Sequence, residues 1–300
     1  MSAVAHALRR SLLFVPGSEP RRLARARETG ADTVLFDLED GVAANAKDAA
    51  RALVADALRA GDFGVAEPAV RINGLATPHW EHDLDAVVAA GARAVMLPKT
   101  ECADDVRRLA DALAQRERRA GIAPDRAVHV LALLETAAGV ANALAIAAAS
   151  PRLAALCFGH ADLARDLQLD EADAAHGILH HARCTLVIAA RAKGVSPIDS
   201  VCLSVRDEEA IRADIGLGIG LGFDGKLCIH PRQVELANTL YTPTVERIAA
   251  AQRIVAAASA AAADGRGVIA LDGKMIDAPI VAAEQRILAR ARRAGVLPPE

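Results

Sequence analysis

Aromatic side chains are scarce in this sequence: phenylalanine, tyrosine and tryptophan together make up 2% of its 300 residues. Apolar residues of all kinds make up 53%, so the core must consist mainly of alanine, valine, leucine and isoleucine. A chain of this length can bury a large core, and it is long for one domain unless that domain is an α/β barrel.

Cysteine is also scarce, and its spacing argues against two common roles. The five cysteines, at positions 102, 157, 184, 202 and 228, are odd in number, widely spaced and form no CxxC pair. Neither a disulfide framework nor a zinc knuckle fits this pattern. We expect a reduced cytoplasmic protein in which Cys157 and Cys228, inside strand-like segments, are core residues.

A strong charge imbalance and a membrane-spanning segment are missing too. The 35 basic and 38 acidic residues give a net charge of −3, which provides no electrostatic field for nucleic acid or a membrane surface. Uncharged runs of about 18 apolar residues occur only in alanine-rich stretches, which are too weakly hydrophobic for a bilayer. The amino terminus lacks the apolar core of a secretory signal. Neither nucleic acid nor a membrane is expected as a partner.

No GxGxxG fingerprint of dinucleotide binding follows a strand-like segment. Gly216–Gly222 (GLGIGLG) resembles one, but it precedes a strand, and we expect a loop there. A doubly wound sheet is therefore only the second choice of fold class. The first choice is an α/β fold, a (β/α)8 TIM barrel with a C-terminal helical and lid extension.

The barrel is predicted from eight strand-like segments that alternate with helix-like segments. The predicted strands are Ser11–Pro16, Thr33–Leu38, Ala69–Asn73, Ala94–Pro98, Val128–Leu134, Leu153–Phe158, Ile198–Leu203 and Gly225–Ile229. The predicted helices are Glu19–Thr29, Lys47–Ala60, Pro78–Ala90, Ala103–Ala120, Ala138–Ala148, Glu171–Ala192, Asp207–Leu217 and Pro231–Leu240. Eight such units in roughly 240 residues match a TIM barrel, and we assign residues 1–243 to it.

Residues 244–300 exceed the needs of a barrel. Helices are predicted at Thr244–Ala263 and Pro279–Ala294, separated by the glycine-flanked segment Asp264–Asp277 (DGRGVIALDGKMID). A short acidic segment between glycine joints fits a lid or an oligomer arm, and a packed tail is the alternative. An acid such as Asp277 has little reason to stand there for stability.

Polar residues follow the predicted strands, so the carboxyl ends of the strands should form one polar rim, where barrels build active sites. Glu135 and Asp162 follow neighbouring strands. Two carboxylates with otherwise oxygen ligands describe a Mg²⁺ site, because this hard ion requires octahedral oxygens. Mn²⁺ could replace it.

Arg71 ends the third predicted strand and suits a bidentate contact with a substrate carboxylate. Asp37, Glu39 and Asp40 place three acids within four positions, so they need nearby cations to remain ionised. One of them is expected to orient Arg71 or Lys99, and one could act as a base or bind metal-coordinated water.

The histidine patterns are less specific. His176 and His180 are spaced i, i+4, but no carboxylate completes a zinc site, so we expect them on a helix surface. His230 lies at the predicted barrel mouth, where a structural hydrogen bond and a substrate contact are equally consistent with the sequence.

Several motifs together identify a family resemblance. They are RRSLLFVPGSEPRRL, FDLEDGV followed by Lys47 and Arg51, VRINGL, MLPKT, LLETAAGV, FGHADLARDL, GKLCIHPRQV and DGKMID. With these motifs the chain resembles, from about Arg10 to Asp277, the citrate lyase beta-subunit-like group. That group includes malyl-CoA and citramalyl-CoA lyases and belongs to the HpcH/HpaI aldolase superfamily. One departure is Glu19, since malyl-CoA lyases often place a basic residue just after PGS.

The resemblance implies a Mg²⁺-dependent (β/α)8 enzyme that forms a homotrimer or hexamer. It implies that Glu135 and Asp162 bind the metal and that Arg71 binds the carboxylate and carbonyl of a 2-keto acid. Asp277 matches the acid that a neighbouring subunit's lid delivers to the acetyl-CoA methyl group. The expected catalytic residues are thus Arg71, Asp277, Glu39 and Asp40. The expected substrate-binding residues besides Arg71 are Phe14, Lys99, Leu134, Ala161, Ile229 and His230.

We therefore expect a Mg²⁺-dependent carbon–carbon lyase that cleaves or forms a 3-hydroxyacyl-CoA thioester of the malyl-, citramalyl- or citryl-CoA type. Cleavage of this thioester would release acetyl-CoA and a 2-keto acid, and the reverse reaction would join them. One alternative is a citrate lyase beta subunit that acts on an acyl-carrier thioester in a complex. Another is a class II aldolase of free hydroxy-keto acids, against which the DGKMID segment argues. A barrel that only binds a CoA thioester is disfavoured by the set of Glu135, Asp162 and Arg71.

Overall fold

A computed structural model of the chain describes residues 7–170, 173–263 and 265–298. The chain divides into two compact units, Met1–Asn238 and Thr239–Glu300. This division lies a few residues before the predicted domain boundary after residue 243, which stays a prediction.

In the described part of the first unit, eight parallel strands form a closed barrel. They are β1 (Ser11–Pro16), β2 (Thr33–Asp37), β3 (Glu67–Arg71), β4 (Ala94–Leu97), β5 (His129–Leu134), β6 (Leu153–Phe158), β7 (Ser196–Asp199) and β8 (Gly225–Cys228). Each strand pairs with the next one, and β1 pairs with β8 to close the barrel. The predicted TIM barrel is confirmed.

Helices cover the outside of the barrel. In chain order they are α1 (Pro20–Arg25), α2 (Lys47–Ala60), α3 (Trp80–Ala90), α4 (Ala103–Ala120), α5 (Ala137–Ala141), α6 (Ala143–Ala147), α7 (His160–Asp166), α8 (Gly177–Lys193), α9 (Glu208–Leu221) and α10 (Pro231–Tyr241). Short 3₁₀ turns lie at Ala26–Thr29, Ala44–Ala46 and Pro124–Arg126.

Three predicted helices are shortened or interrupted in the structure. The helix predicted at Glu19–Thr29 ends at Arg25 and is followed by a 3₁₀ turn at Ala26–Thr29. The helix predicted at Ala138–Ala148 is interrupted at Asn142, whose side-chain Nδ2 donates to the Glu101 carbonyl at 2.9 Å. The helix predicted from Glu171 begins at Gly177, and Glu171 itself lies outside the described residues. Helix α7 was not predicted.

The loop predicted at Gly216–Gly222 is wrong, because these residues form the last turns of α9 and its cap. Ile211 and Ile215 are fully buried and anchor this helix. Helix propensity is a weak prior that such packing overrides. Gly222 then ends the helix with φ +97°, a left-handed conformation in which glycine has no steric penalty.

Strand β7 is shorter and earlier than the predicted Ile198–Leu203. It pairs with β8 through Ile198 and Asp199. The Asp199 carboxylate then accepts from the Ser200 amide at 2.9 Å and from the guanidinium of the buried Arg183 on α8. These contacts direct the backbone away from the sheet at Asp199.

Alternation along the strands determines which side chains reach the active-site rim. The apolar barrel interior includes Leu35 on β2, Ala69 on β3 and Leu133 on β5. Because side chains of a strand alternate between its two faces, Arg71 and Asp37 continue the inward rows of Ala69 and Leu35. Cys157 and Cys228 are completely buried, as predicted.

The opposite end of the barrel is closed by a buried ion pair. Arg9 Nε and Nη2 donate to the two carboxylate oxygens of Glu67, each at 2.7 Å. His129 Nδ1 lies 3.6 Å from the same carboxylate. Burial alone would raise the pKa of Glu67, but the His129 hydrogen bond and the Arg9 charge outweigh it and lower this pKa to about 2. This end of the barrel stabilises the fold.

The second unit contains two long helices and a β-hairpin. Helices α11 (Val245–Ala263) and α12 (Ala278–Arg293) pack through Ile248, Ala251, Leu288 and Ala291. Strands β9 (Ile269–Leu271) and β10 (Lys274–Ile276) pair antiparallel between them. Asp272 and Gly273, with φ of 51° and 73°, form the two-residue turn typical of Asp-Gly hairpins.

Within the described residues, we find no helix with both the length and the apolar character needed to cross a membrane.

Candidate active site

Arg71 and Asp37 form the most rigid pair at the rim. They are register partners on adjacent strands. Arg71 Nε and Nη2 donate to the two Asp37 oxygens at 2.8 and 2.7 Å. Asp37 also accepts from the amides of Glu39 and Gly41, each at 2.9 Å. This fixed fork confirms the expectation that one acid of the cluster orients Arg71.

Arg71 has a second set of contacts that faces the barrel mouth. Its Nη1 lies 3.1 Å from Glu39 Oε2, and its Cζ lies 4.9 Å from the centroid of the Phe14 ring. The Phe14 ring supports the guanidinium plane through a cation–π contact. Because Asp37 occupies the Nε–Nη2 edge, a ligand would approach Arg71 from the Nη1 side, where it would share the guanidinium with Glu39.

Glu39, Asp40 and Lys99 form the next cluster along the rim. Lys99 Nζ contacts Glu39 Oε1 directly and lies 3.4 Å from Asp40 Oδ2. Glu39 is 6% exposed, whereas Asp40 is open to solvent. Burial raises the pKa of Glu39, although the nearby Arg71 and Lys99 oppose this shift. Glu39 is therefore the member of the cluster best suited to take up a proton.

Lys47 fixes the chain segment that carries these acids. From the start of α2, its Nζ donates to the carbonyls of Leu38 and Glu39 at 2.8 and 2.7 Å. From the sequence, Lys47 was recognisable only as part of a motif. The segment that carries the three acids, residues 37–41, is called the acidic loop. Because Lys47 lies ten residues after Asp37, the first turn of α2 returns over the end of β2 and holds the acidic loop.

Glu135 follows β5 and is 2% exposed. The main-chain amide of Lys99 donates to its Oε1 at 2.9 Å. Burial raises the pKa of Glu135 to about 7; the charge of Asp162 adds to this shift and the Lys99 amide opposes it. Gly159 lies against its other side, because a Cβ at position 159 would be 2.6 Å from Glu135 Cβ and 2.8 Å from its Oε2. Only glycine leaves room for Glu135 in this orientation.

Asp162 lies in the first turn of α7, where it is half-buried and pairs with Arg165 Nη2 at 2.5 Å. Asp166, one turn further, accepts from the Ala137 amide at 2.7 Å. This hydrogen bond joins α7 to the segment after Glu135. The two carboxylates predicted as metal ligands are therefore brought close enough for their charges to interact.

The donor set at Glu135 and Asp162 fits a hard divalent cation. It offers carboxylate oxygens, the ligands that a hard divalent cation prefers. The described residues contain no group of three or more His, Cys, Asp or Glu side chains that could hold a metal ion. A metal here would have two side-chain ligands, which is typical of Mg²⁺ sites in which water and substrate provide the other oxygens.

The predicted substrate-binding residues lie at several points of the rim. Ala161 is exposed at the start of α7, and the Leu134 carbonyl accepts from the Gly159 amide at 3.1 Å. Ile229 and His230 are exposed at the end of β8. His230 Nδ1 accepts from the Arg232 amide at 3.1 Å, so a structural hydrogen bond is part of its role. Substrate binding by these residues stays a prediction.

A cavity of about 640 Å³ opens between β1, α1 and the start of α10. Phe14, Ile229 and His230 contribute to its lining, together with Arg21, Arg22 and Arg25 of α1. Phe14, Ile229 and His230 were expected to line the pocket, whereas the arginines were not. The available signal was the group of basic residues that follows PGS.

Asp277 lies in the second unit as the N-cap of α12. Its Oδ1 accepts from the Ile280 amide at 3.2 Å, an interaction typically worth about 1 kcal/mol. The expectation that an acid at this position has little structural role is wrong. Its catalytic role stays a prediction.

Among residues 7–170, 173–263 and 265–298, no group of three or more possible metal ligands includes His176 and His180. His176 is exposed and pairs with Asp173 at 2.9 Å, and His180 is half-buried on α8. The expected helix position holds for His180, whereas His176 is the residue that precedes the helix.

Comparisons with known proteins agree with this geometry. A family model described as HpcH/HpaI aldolase/citrate lyase matches residues 10–231. The citrate lyase subunit beta of Leuconostoc mesenteroides subsp. cremoris is 40% identical over 281 residues, which cover 94% of this chain and 92% of that protein. A (3S)-malyl-CoA thioesterase of Cereibacter sphaeroides is 38% identical over 295 residues, covering 97% of both chains.

A solved structure extends the comparison to three dimensions. The protein CitE from Mycobacterium tuberculosis, in complex with magnesium, acetoacetate and coenzyme A, superposes with a TM-score of 0.75. It is 35% identical and covers 96% of this chain and 99% of its own. With a family model that spans most of the barrel, and relatives that align over nearly the full chain, this protein belongs to the HpcH/HpaI aldolase/citrate lyase family of enzymes.

Proposed function

We propose that this protein is a Mg²⁺-dependent carbon–carbon lyase of 3-hydroxyacyl-CoA thioesters of the malyl-, citramalyl- or citryl-CoA type. The products in the cleavage direction are acetyl-CoA and a 2-keto acid. The observation that carries the proposal is the convergence of Glu135, Asp162 and Arg71 at one end of the barrel, with Glu135 held by the Lys99 amide. The relative that was solved with magnesium and coenzyme A supports this choice.

Glu135 and Asp162 would hold the metal. A bound Mg²⁺ supplies Lewis acidity, which lowers the pKa of a chelated hydroxyl group and stabilises the carbonyl that forms from it. Arg71 directs its Nη1 side to the carboxylate of the keto-acid half, because Asp37 occupies its other edge. Its fixed positive charge stabilises the alkoxide that forms during cleavage.

Two proton transfers accompany the break of the carbon–carbon bond. In the first, a base takes the proton of the 3-hydroxyl group; Glu39, buried beside Arg71, is the proposed base and Asp40 its solvent-side partner. The bond electrons then form the enolate of the acetyl thioester. In the second, an acid protonates that enolate at carbon. Asp277 of a neighbouring subunit is the proposed acid.

The cavity beside α1 favours CoA as the thioester carrier. Arg21, Arg22 and Arg25 are exposed along it, and their guanidinium groups suit phosphate oxygens. Arg22 is also paired with Glu19 at 2.8 Å, which leaves Arg21 and Arg25 as the stronger candidates. CoA presents three phosphate groups to such side chains.

Product identity tests the proposal. Purified protein is incubated with malyl-, citramalyl- and citryl-CoA, with Mg²⁺ or with EDTA, and products are separated by mass spectrometry. The proposed lyase releases acetyl-CoA and a keto acid only with Mg²⁺. Release of free CoA and the hydroxy acid, without a keto acid, would instead indicate hydrolysis, the activity named for the Cereibacter sphaeroides relative. Turnover of an acyl-carrier thioester but not of CoA thioesters would favour the citrate lyase subunit.

Assembly and compartment are further parts of the proposal. A homotrimer or hexamer would supply Asp277 from a neighbouring subunit, and size-exclusion chromatography with light scattering tests this. Arg71→Ala and Asp277→Ala proteins that are each inactive should restore activity when mixed, because one site then receives both native residues. A cytoplasmic location stays a prediction.

A further inference from the structure

The backbone at Lys99 has an unusual conformation. Its φ is +48°, in the left-handed region that side chains with a Cβ rarely adopt. The other described non-glycine residues with positive φ are Asp62 and Asp272, aspartates that tolerate this region best, and Gln168, two residues after α7. A lysine has no such local compensation. Strain of this kind is characteristic of functional sites.

We propose that Lys99 is a positioning residue whose strained main chain sets the orientation of Glu135. This inference rests on the metal site of the proposed function. It differs from the sequence-based expectation that Lys99 binds substrate, because both ends of the residue are already engaged with protein groups. The amide donates to Glu135 at 2.9 Å, and the ammonium contacts Glu39 and Asp40.

The strain persists because the chain after Lys99 is fixed. The Thr100 amide donates to the Leu133 carbonyl at 3.1 Å, and its hydroxyl donates to the Leu97 carbonyl at 2.9 Å. Thr100 is completely buried, and the backbone of Gly139 approaches it so closely that a Cβ there would lie 2.4 Å from the Thr100 carbonyl oxygen. Thr100 therefore cannot move to relieve Lys99.

With Thr100 fixed, φ at Lys99 can relax only if the preceding peptide plane rotates. That plane carries the Lys99 amide, so its rotation withdraws the hydrogen bond from Glu135. The left-handed backbone and the orientation of Glu135 are therefore coupled. The ammonium adds a second anchor, because its contacts with Glu39 and Asp40 hold the side chain of the same residue.

Two substitutions separate the backbone from the side chain. Lys99→Gly and Lys99→Val both remove the ammonium, but glycine adopts positive φ freely whereas a β-branched residue does not. Mn²⁺ binding to the full-length protein without substrate is measured by electron paramagnetic resonance. We expect the dissociation constant of Lys99→Val to be at least tenfold higher than that of Lys99→Gly.

Asp62 provides a matched control. It has φ of 60° at the C-terminal side of α2, before β3, and is therefore remote from the rim. Asp62→Val should lower the melting temperature relative to Asp62→Gly while the two dissociation constants for Mn²⁺ agree within twofold. If Lys99→Val does not fold, Lys99→Ala replaces it, with an expected difference from Lys99→Gly of at least threefold.

The outcomes distinguish the inference from the proposed metal site. Equal Mn²⁺ affinity in the two folded Lys99 variants, together with loss of binding in Glu135→Ala, would refute the positioning role and leave the metal site intact. Mn²⁺ binding that is unchanged in Glu135→Ala would refute the metal site and the inference with it. A tenfold difference confined to the Lys99 pair supports both.

Discussion

Replacing Gly159 with alanine places one methyl group against Glu135. The new Cβ would lie 2.6 Å from Glu135 Cβ and 2.8 Å from its Oε2, distances too short for a real carbon to occupy. The Gly159 φ of −114° is accessible to alanine, so the substitution acts through this contact and not through backbone strain. Glu135 must move to relieve this contact, and the movement strains the hydrogen bond from the Lys99 amide to its Oε1.

The magnitude follows from the tolerance of metal sites. Overpacking by one methyl group typically costs about 1–3 kcal/mol in stability, and metal–ligand distances tolerate only about 0.2 Å. A shift of Glu135 large enough to relieve the contact exceeds this tolerance. We expect Gly159→Ala to weaken Mn²⁺ binding at least about tenfold, which corresponds to about 1.4 kcal/mol.

Isothermal titration calorimetry with Mn²⁺ measures this change, and circular dichroism monitors folding. Gly220→Ala is the matched control, since Gly220 lies within α9 and an added Cβ meets nothing within 4 Å. That control should bind Mn²⁺ like the parent and gain about 0.5–1 kcal/mol of stability from its better helix propensity. A Gly159→Ala protein that is folded and binds Mn²⁺ with the parent's affinity would refute the assignment of Glu135 as a metal ligand.

Three further predictions concern Arg71, Asp277 and Glu67. Arg71→Lys should lose at least about 2 kcal/mol of transition-state stabilisation, measured as kcat/KM. The reason is that one ammonium group cannot maintain both hydrogen bonds to Asp37 and still reach a substrate carboxylate. An unchanged kcat/KM would remove Arg71 from the site. Asp277→Asn should preserve the melting temperature, because asparagine also caps helices, but it should abolish exchange of the acetyl-CoA methyl protons in deuterated water with oxalate present. Asp277→Ala should additionally destabilise the protein by about 1 kcal/mol. Undiminished exchange in Asp277→Asn would exclude Asp277 as the acid. The pKa of Glu67 in the folded protein is lowered to about 2, so the ionised Glu67 contributes about 3 kcal/mol to the free energy of unfolding. This contribution should be complete above the unfolded-state pKa near 4.5 and disappear as the pH falls towards 2. Urea unfolding of Glu67→Gln across this range should show a weaker pH dependence than the parent, and equal dependence would contradict the assignment.

Hydrophobic alternation and strand spacing are sufficient to predict the barrel, because the eight apolar segments alternate regularly with helices. The errors lie where tertiary contacts override local preference. The glycines at the end of α9 remain helical because Ile211 and Ile215 anchor that helix, and no sequence pattern reveals that packing. The hairpin around Asp272 and Gly273 was missed although Asp-Gly between apolar residues is a strong hairpin signal.

Within the site, the residue types at the strand ends could be predicted, but their partners could not. Arg71 and Asp37 are 34 positions apart, and their pairing depends on the register of β2 and β3. The roles of Lys47 and Gly159 arise from main-chain geometry: one binds carbonyls, and the other leaves space for Glu135. The strained backbone of Lys99 likewise has no sequence signature, since lysine is not a residue that favours positive φ.

The charges of the rim impose an order on ligand binding. Five carboxylates and four cationic groups interact there, namely Asp37, Glu39, Asp40, Glu135 and Asp162 with Lys47, Arg71, Lys99 and Arg165. When all nine groups are ionised, their charge of −1 favours a divalent cation and opposes an anionic substrate. Once the cation is bound, the same group carries +1, which favours the carboxylate of a keto acid beside Arg71. Oxalate should therefore bind at least about tenfold more weakly, a difference of about 1.4 kcal/mol, when Mg²⁺ is removed with EDTA. Equal oxalate affinity with and without Mg²⁺ in calorimetry would show that Arg71 provides the anion site without the metal, and that metal binding does not precede substrate binding.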